Sequence, residues 1–211
     1  MGSGFKTFTA GAVLTASEVN GYLMQQSVPT FTNEAARDAA ITSPTEGMYA
    51  YLTAPTVPTA TGTTTAIPLG VQTIYNGFVW VCTTPVGALS NTSGTLTSTS
   101  YVTTITGDAT AISVRLVTGT TARIDMTARN DGITAAGSYL TYSVSGATTV
   151  AASDANASVL SMHAGGLAFV HARSNIITGL TAGTNTFTLN YRTSVGTMTE
   201  VTRNLIVTGI A

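Results

Sequence analysis

The sequence predicts a mainly β protein: a short N-terminal helical anchor and a β-hairpin collar, followed by a C-terminal jelly-roll-like β-sandwich. Three observations lead there. Threonine supplies 43 of the 211 residues; its branched Cβ favours strands, and its hydroxyl wets an outer sheet face without charge. Charged residues make up only 8%, against about 25% in ordinary soluble domains, yet 44% of the chain is hydrophobic, enough to bury a core. From residue 95 onward, runs with period-two alternation recur between Gly, Asn and Asp turn signals, the pattern of many short strands in a sandwich.

Residues 1–29 read as an arm and an anchoring helix. Phe5, Phe8 and Val13 lie in a Gly- and Thr-containing arm, and a helix is expected from Leu14 to Val28. Thr15, Ala16, Ser17 and Glu18 fit a capping box, and Val19, Tyr22, Leu23 and Gln26 follow at three- and four-residue spacing. Pro29 stops the helix.

Residues 30–86 read as a small α+β collar. Asn33 is the expected N-cap of a short helix running through Ala40, before Ser43 and Pro44. Met48 to Leu52 form a candidate strand, and Gln72 to Tyr75 with Phe78 to Cys82 flank Asn76 and Gly77, the preferred centre of a type I′ hairpin. Between them, Thr53 to Gly70 is uncharged and rich in Thr and Pro, which predicts an extended loop or linker. Two or three strands are too few for independent stability, so neighbouring copies are expected to complete the collar.

Residues 87–94 read as a linker and 95–211 as the sandwich. Strands are expected near Thr95 to Ile105, Ala111 to Val117, Ala122 to Arg129, Ser138 to Val144, Ser158 to His163, Leu167 to Arg173, Asn185 to Thr193 and Glu200 to Val207. Ile112, Val114 and Leu116 would line one face, as would Ile124, Met126 and Ala128, or Phe187, Leu189 and Tyr191. Arg115 and Arg192 take the opposite parity from their apolar neighbours, whereas Arg203 shares that of Val201, Leu205 and Val207. A bulge or a buried pair would explain Arg203.

The inventory for chemistry is thin. The net charge is −1 and Lys6 is the sole lysine, so no basic patch exists to neutralise phosphates and no nucleic-acid partner is expected. No run of about 18 apolar residues occurs, so no membrane span is expected. The N-terminus lacks a basic region followed by an apolar stretch, which predicts a product made in the cytoplasm. Cys82 stands alone and reads as a small buried hydrophobe. His163 and His171 carry no pattern tying them to a Ser and an Asp, and the usual nucleotide-, hydrolase- and zinc-binding strings are missing. Asp154, Asn156 and Ser158 alternate like the opening of a calcium loop, but the twelfth position is Gly165, so a turn is the better reading. Asn130, Asp131 and Gly132 also read as a turn. Tyr139 and Tyr142 differ in parity, so one of them faces outward. These readings predict a protein that is not an enzyme and needs no cofactor. A net charge near zero leaves little repulsion between copies, which suits a protein that lives in an assembly.

The opening Phe5-Lys-Thr-Phe-Thr-Ala-Gly-Ala-Val-Leu-Thr-Ala-Ser-Glu-Val-Asn-Gly-Tyr-Leu-Met-Gln-Gln resembles the amino-terminal part of virion proteins in tailed bacteriophages of actinobacteria. The resemblance extends through Ala35-Ala-Arg, Ser43-Pro-Thr-Glu-Gly-Met and Ile74-Tyr-Asn-Gly with Trp80. The stretch from Gly183 to Arg192, with Thr202 to Val207, is similar to the last strands of the jelly-roll tips such proteins often bear. The family includes head fibres, capsid decoration proteins and minor tail proteins, and brings no active-site motif. The resemblance implies a virion structural protein, assembled in the host bacterial cytoplasm.

Combined with the composition, it predicts a homotrimeric capsid-surface decoration or head-fibre protein. The alternative is a minor tail or baseplate protein whose sandwich binds a host receptor or surface glycan. Phe5, Phe8, Val13, Leu14, Val19, Tyr22 and Leu23 are the expected attachment residues, docking on the major capsid protein or a neighbouring virion protein. Met48, Tyr75, Phe78 and Trp80 are the expected trimer contacts.

Overall fold

The computed structural model describes residues 10–20, 28–131, 136–162 and 168–211. The capping box forms as the spacing requires: Thr15 Oγ accepts from the Glu18 N–H at 3.2 Å, and the Glu18 carboxylate accepts from the Thr15 N–H at 2.9 Å. The helical turn α1 spans Ala16–Glu18; the continuation expected towards Val28 falls largely on residues 21–27, outside the described residues. Thr30–Phe31 form strand β1, and helix α2 spans Glu34–Ala40. Asn33 Oδ1 caps α2 by accepting from the Ala36 N–H at 3.0 Å.

Strand β2 is Tyr49–Leu52. Thr59–Thr61 form β3 and Thr64–Ala66 form β4. Val71–Tyr75 form β5 and Trp80–Cys82 form β6. The collar is a four-stranded sheet in the order β1-β2-β5-β6, with β1 parallel to β2 and the other pairs antiparallel. The hairpin is where the sequence places it, but its turn is not type I′. That turn needs positive φ at both central residues, and among the described residues only glycines, here Gly77 at φ 90°, take positive φ. Asn76 instead uses its side chain: Oδ1 accepts from the N–H groups of Phe78 and Val79 at 3.1 and 3.0 Å. Such an Asx turn competes with the primed turn, and the loop spans residues 76–79.

The sandwich strands are β7 Val86–Ser90, β8 Gly94–Leu96, β9 Ser113–Thr118, β10 Thr121–Asp131, β11 Ala136–Gly146, β12 Ser158–Met162, β13 Ala168–Thr178, β14 Gly183–Thr193 and β15 Met198–Ile210. One sheet has the order β13-β10-β15-β7-β4, with β8 also on β15; the other has β12-β11-β14-β9-β3. With β7 and β8 taken as one broken strand and β3 and β4 set aside, the chain passes between two four-stranded sheets at every step but β11 to β12, in jelly-roll order. The inward residues of β9, β10 and β14 named from parity are buried, as are Leu140, Tyr142 and Val144 on β11. Tyr139 faces outward and Tyr142 inward.

Several expectations are corrected by the pairing. Thr53 to Gly70 is more than a linker: β3 pairs with β9 and β4 with β7, so the segment adds an edge strand to each sandwich sheet. Residues 87–94, expected as a joint, hold most of β7, which pairs with β15 from Arg203 to Val207. Val86 and Ala88 face the core there, and polar Ser90 to Gly94 obscured the strand. The strand expected over Thr95 to Ile105 is only β8, after which the chain crosses the end of the sandwich and bridges Tyr191 through Val102. Asn130 and Asp131 end β10 rather than starting a turn.

The collar does not wait for neighbouring copies to cover it. Leu52, Val71 and Cys82 belong to the same buried cluster as the sandwich core. Val81 is fully buried and packs where Gly119 and Gly209 leave room. A Cβ on Gly209 would meet the Cys82 carbonyl oxygen at 2.5 Å and Val81 Cγ1 at 2.9 Å; backbone cannot yield as a side chain does.

Gly209→Ala should therefore destabilise the protein by about 1–3 kcal/mol, the cost of overpacking. Gly87→Ala, where the nearest atoms lie at 3.5 Å, should stay within about 0.5 kcal/mol of wild type. Urea unfolding of the two variants checks the contrast; equal effects would refute this docking geometry.

Candidate functional site

Of the N-terminal arm, the described residues 10–20 lie outside the core. Among the expected attachment residues, Phe5, Phe8, Tyr22 and Leu23 lie outside the described residues. Val13 is 89% exposed, Leu14 is also exposed and Val19 is half-buried. Leu14 and Val19 occupy the N′ and N4 positions of a hydrophobic staple about the capping box, and no residue from Ala10 to Asn20 is buried. The arm thus presents apolar side chains to solvent beside a rigidly capped turn.

The expected trimer contacts divide. Trp80 is buried, with the Arg37 guanidinium 4.7 Å from its ring centre and the Tyr75 ring at 5.4 Å. This stack fixes α2 to the collar within one chain, so Trp80 is not available as a surface contact. Met48 is half-buried, its sulfur accepting from the Thr45 N–H at 3.4 Å. Phe78, at the hairpin tip, is 81% exposed. Glu34 ties the start of the Thr-rich segment to α2 through the N–H groups of Thr56 and Val57 at 3.0 and 2.9 Å. Burial works to raise the Glu34 carboxyl, but those donors outweigh it and hold it below the ordinary range.

At the end of the sandwich away from the collar, the interior becomes polar. Both explanations entertained for Arg203 hold. The β10–β15 register slips between Arg129 and Asn130, which face Thr202 and Glu200, so Val201 is the extra residue. The slip turns Arg203 inward, where it is fully buried and ion-paired through Nη2 to Asp108 Oδ2. Nη2 also donates to the Thr92 carbonyl at 3.1 Å. Ser90 Oγ donates to Asp108 Oδ2 at 2.6 Å, and the Thr110 N–H donates to Oδ1 at 2.9 Å. Burial opposes the Asp108 charge, yet Ser90, Thr110 and Arg203 together hold the carboxyl down at about 2. The guanidinium sits 5.5 Å from the Tyr191 ring centre.

The parity of Arg203 was the only sequence signal for this network. Asp108 falls between two expected strands, and nothing local marks Asn130 or Glu200 as interior. His171 is also buried; burial alone pushes its imidazole down to about 4, leaving it neutral.

On the outer face, Asp154 opens a short 3-10 turn, Asp154–Asn156, in keeping with the turn reading. Its carboxylate accepts from Tyr101 OH at 2.7 Å and from Arg192 Nη2 at 2.6 Å. Arg192 lies 3.5 Å from the centre of the Tyr139 ring. These contacts clamp two long connections onto the sheet. Arg192, then Tyr101, hold the Asp154 carboxyl below its ordinary value. Cys82 is buried, its thiol pushed up to about 11 by burial. Among the described residues, no three of His, Cys, Asp and Glu converge as metal ligands, and no helix is long and apolar enough to cross a membrane.

The described chain is thus a charge-poor, Thr-rich sandwich with a docked collar. No protein-family model and no curated protein matches it.

Arg203→Met should cost about 3–5 kcal/mol, because it leaves Asp108 buried without its partner. Adding Asp108→Leu should recover much of that loss. Asp108 titrates below its unfolded value, so its contribution is present above the ordinary carboxylate range and fades as pH falls towards about 2. Chemical denaturation of the single and double variants, with an acid titration of wild type, checks both points; a double variant no more stable than the single would refute them.

Proposed function

We propose that this protein is a structural component of a tailed-phage virion, a capsid-surface decoration or head-fibre protein held to the particle by its N-terminal segment. One observation carries the reading: the collar and sandwich close into a single core, while Val13 and Leu14 on the arm remain in water. Apolar side chains exposed at Val13 and Leu14 are available to dock on a capsid or neighbouring virion subunit. The resemblance of the opening residues to actinobacteriophage virion proteins supports the same assignment, and assembly would follow synthesis in the host cytoplasm. No catalytic step or cofactor enters this reading.

The adhesin alternative needs an open platform for a glycan. Tyr139 carries Arg192 over its ring and the Tyr101 hydroxyl is bonded to Asp154, so neither aromatic offers a free polar edge and face together. This favours the decoration reading over a tail-tip receptor binder.

Self-association as a homotrimer belongs to this proposal, with contacts different from those first expected. The sandwich and α2 cover the collar core, and the exposed large apolar side chains among the described residues 30–86 are Tyr49, Tyr51, Ile67, Leu69 and Phe78, with Leu69 94% exposed.

Deleting Met1 to Val28 should leave a folded body that no longer joins particles, and antibody labelling of intact phage should mark the head. Undiminished incorporation of the truncated protein would remove the anchoring role, and label confined to the tail would select the alternative. In sedimentation, wild type should run as a trimer and the Leu69→Ser, Phe78→Ser double variant as a folded monomer. Wild-type protein that stays monomeric at micromolar concentration would sink the trimer.

A further inference from the structure

Asn130 on β10 and Glu200 on β15 face each other in register, both pointing between the sheets and both almost completely buried. Ser138 Oγ, on β11, donates to Glu200 Oε1 at 3.3 Å. Asn130 Nδ2 donates to Ser138 Oγ at 3.4 Å and to the Met198 sulfur at 3.1 Å. That leaves Asn130 Oδ1 and Glu200 Oε2, two acceptors on adjacent strands, without a donor among the described residues. Turning the Asn130 amide over would send an N–H towards Glu200, but would aim Oδ1 at the Met198 sulfur and at Ser138 Oγ, whose one hydrogen already goes to Glu200 Oε1. Arg203 Nε and Nη1 and the Tyr191 hydroxyl are unpartnered in the same interior but make no hydrogen bond to either acceptor; between Asn130, Ser138 and Glu200 one hydrogen is missing, and a carboxylic acid would supply it.

The charges around the site point the same way. Arg203, from the same strand, and Asp108, from the connection after β8, already cancel each other in a buried pair. Tyr191 of β14 lies against Arg203, and His171 of β13 shares its row through Ala128 and is neutral. Arg129 and Asp131, the neighbours of Asn130, pair with each other on the outer face. An ionised Glu200 would therefore leave one net negative charge inside the sandwich, which is costly in a low-dielectric interior.

We propose that Glu200 is a proton-binding site which, as the neutral acid, donates its O–H to Asn130 Oδ1 and locks the end of the sandwich away from the collar. Burial is the main reason the Glu200 carboxyl is pushed up to about 7, against the opposing pull of Asn130, Arg203 and Ser138. Glu200 also pairs through its backbone with Gly94 of β8, so the lock sits beside the strand that leads into the connection carrying Asp108. The sign is the reverse of ordinary acid denaturation. A carboxyl raised in the folded state stabilises most below its unfolded value, and that stability is lost as pH rises through about 7.

Thermal unfolding of the full chain from pH 5 to pH 8 tests this. The wild-type Tm should fall across the range, while Glu200→Gln, whose amide donates to Asn130 at every pH, should fall less and equal or exceed wild type at pH 8. Comparing the two proteins cancels any contribution from His163 and His171. Parallel pH profiles would overturn the proposal. If the variant fails to fold, wild type labelled with 13C at the glutamate carboxyls decides the matter, because the chain has only Glu18, Glu34, Glu46 and Glu200. One of the four signals should titrate near neutrality. Four signals titrating in the ordinary range, as a carboxylate bridged to Arg203 by trapped water would give, would refute it.

Discussion

The ion pair between Arg203 and Asp108 is the constraint around which the sandwich is arranged. A guanidinium with no exposed surface must have a partner, because an unpaired buried charge costs several kcal/mol. Meeting that demand brings the chain after β8 back across the end of the sheets. Ser90, Thr92 and Thr110 each take part in the same knot, so β7, the long crossing segment and β15 are fixed relative to one another. The slip at Val201 belongs to this arrangement. Without it Arg203 would point outward and the apolar set from Leu205 to Val207 would lose its parity with Met198.

Most of the strands were legible because the alternation is strong and each inward set meets another across a core about one sheet spacing thick. β9, β10, β11, β13, β14 and β15 appear within a few residues of their expected places. β3, β4 and β7 were not, and the reasons are physical. β3 and β4 are edge strands of three residues each, nearly all exposed, so no buried face imposes a pattern on Thr59 to Ala66. β7 is short and carries Gly87 and Ser90, whose burial depends on β15 lying beside it. The asparagine turn misled for another reason: the Asn76 side chain found two backbone N–H groups, which a propensity for primed turns does not anticipate. At the candidate sites Val13, Leu14 and Phe78 are exposed, while Trp80, an aromatic expected at a surface, is buried against Arg37.

The packing also changes the logic of assembly. A collar of four short strands would be marginal alone, and the sequence suggests that siblings complete it. In the structure the same chain completes it, through Val81 against Gly119 and Gly209 and through the shared core of Leu52, Val71 and Cys82. Association is then not a condition of folding. In the assembly proposed above it would be a separate step, left to exposed side chains, and a protomer would fold before meeting a particle.

Charge placement supports that division. Arg123 pairs with Asp125, Arg129 with Asp131 and Arg192 with Asp154, at 3.0, 3.1 and 2.6 Å. Exposed pairs of this kind add little stability, but they leave few unbalanced charges on the sheet faces and hence little field at a distance. Under the proposed function, copies on a crowded shell would meet without the self-repulsion that a highly charged protein must overcome, and selectivity of attachment would come from shape and apolar contact. In the interior a bare charge would stand at Glu200. There the low dielectric that makes Arg203 dependent on Asp108 makes a carboxylate without such a partner unfavourable, so a single burial effect governs both ends of the network.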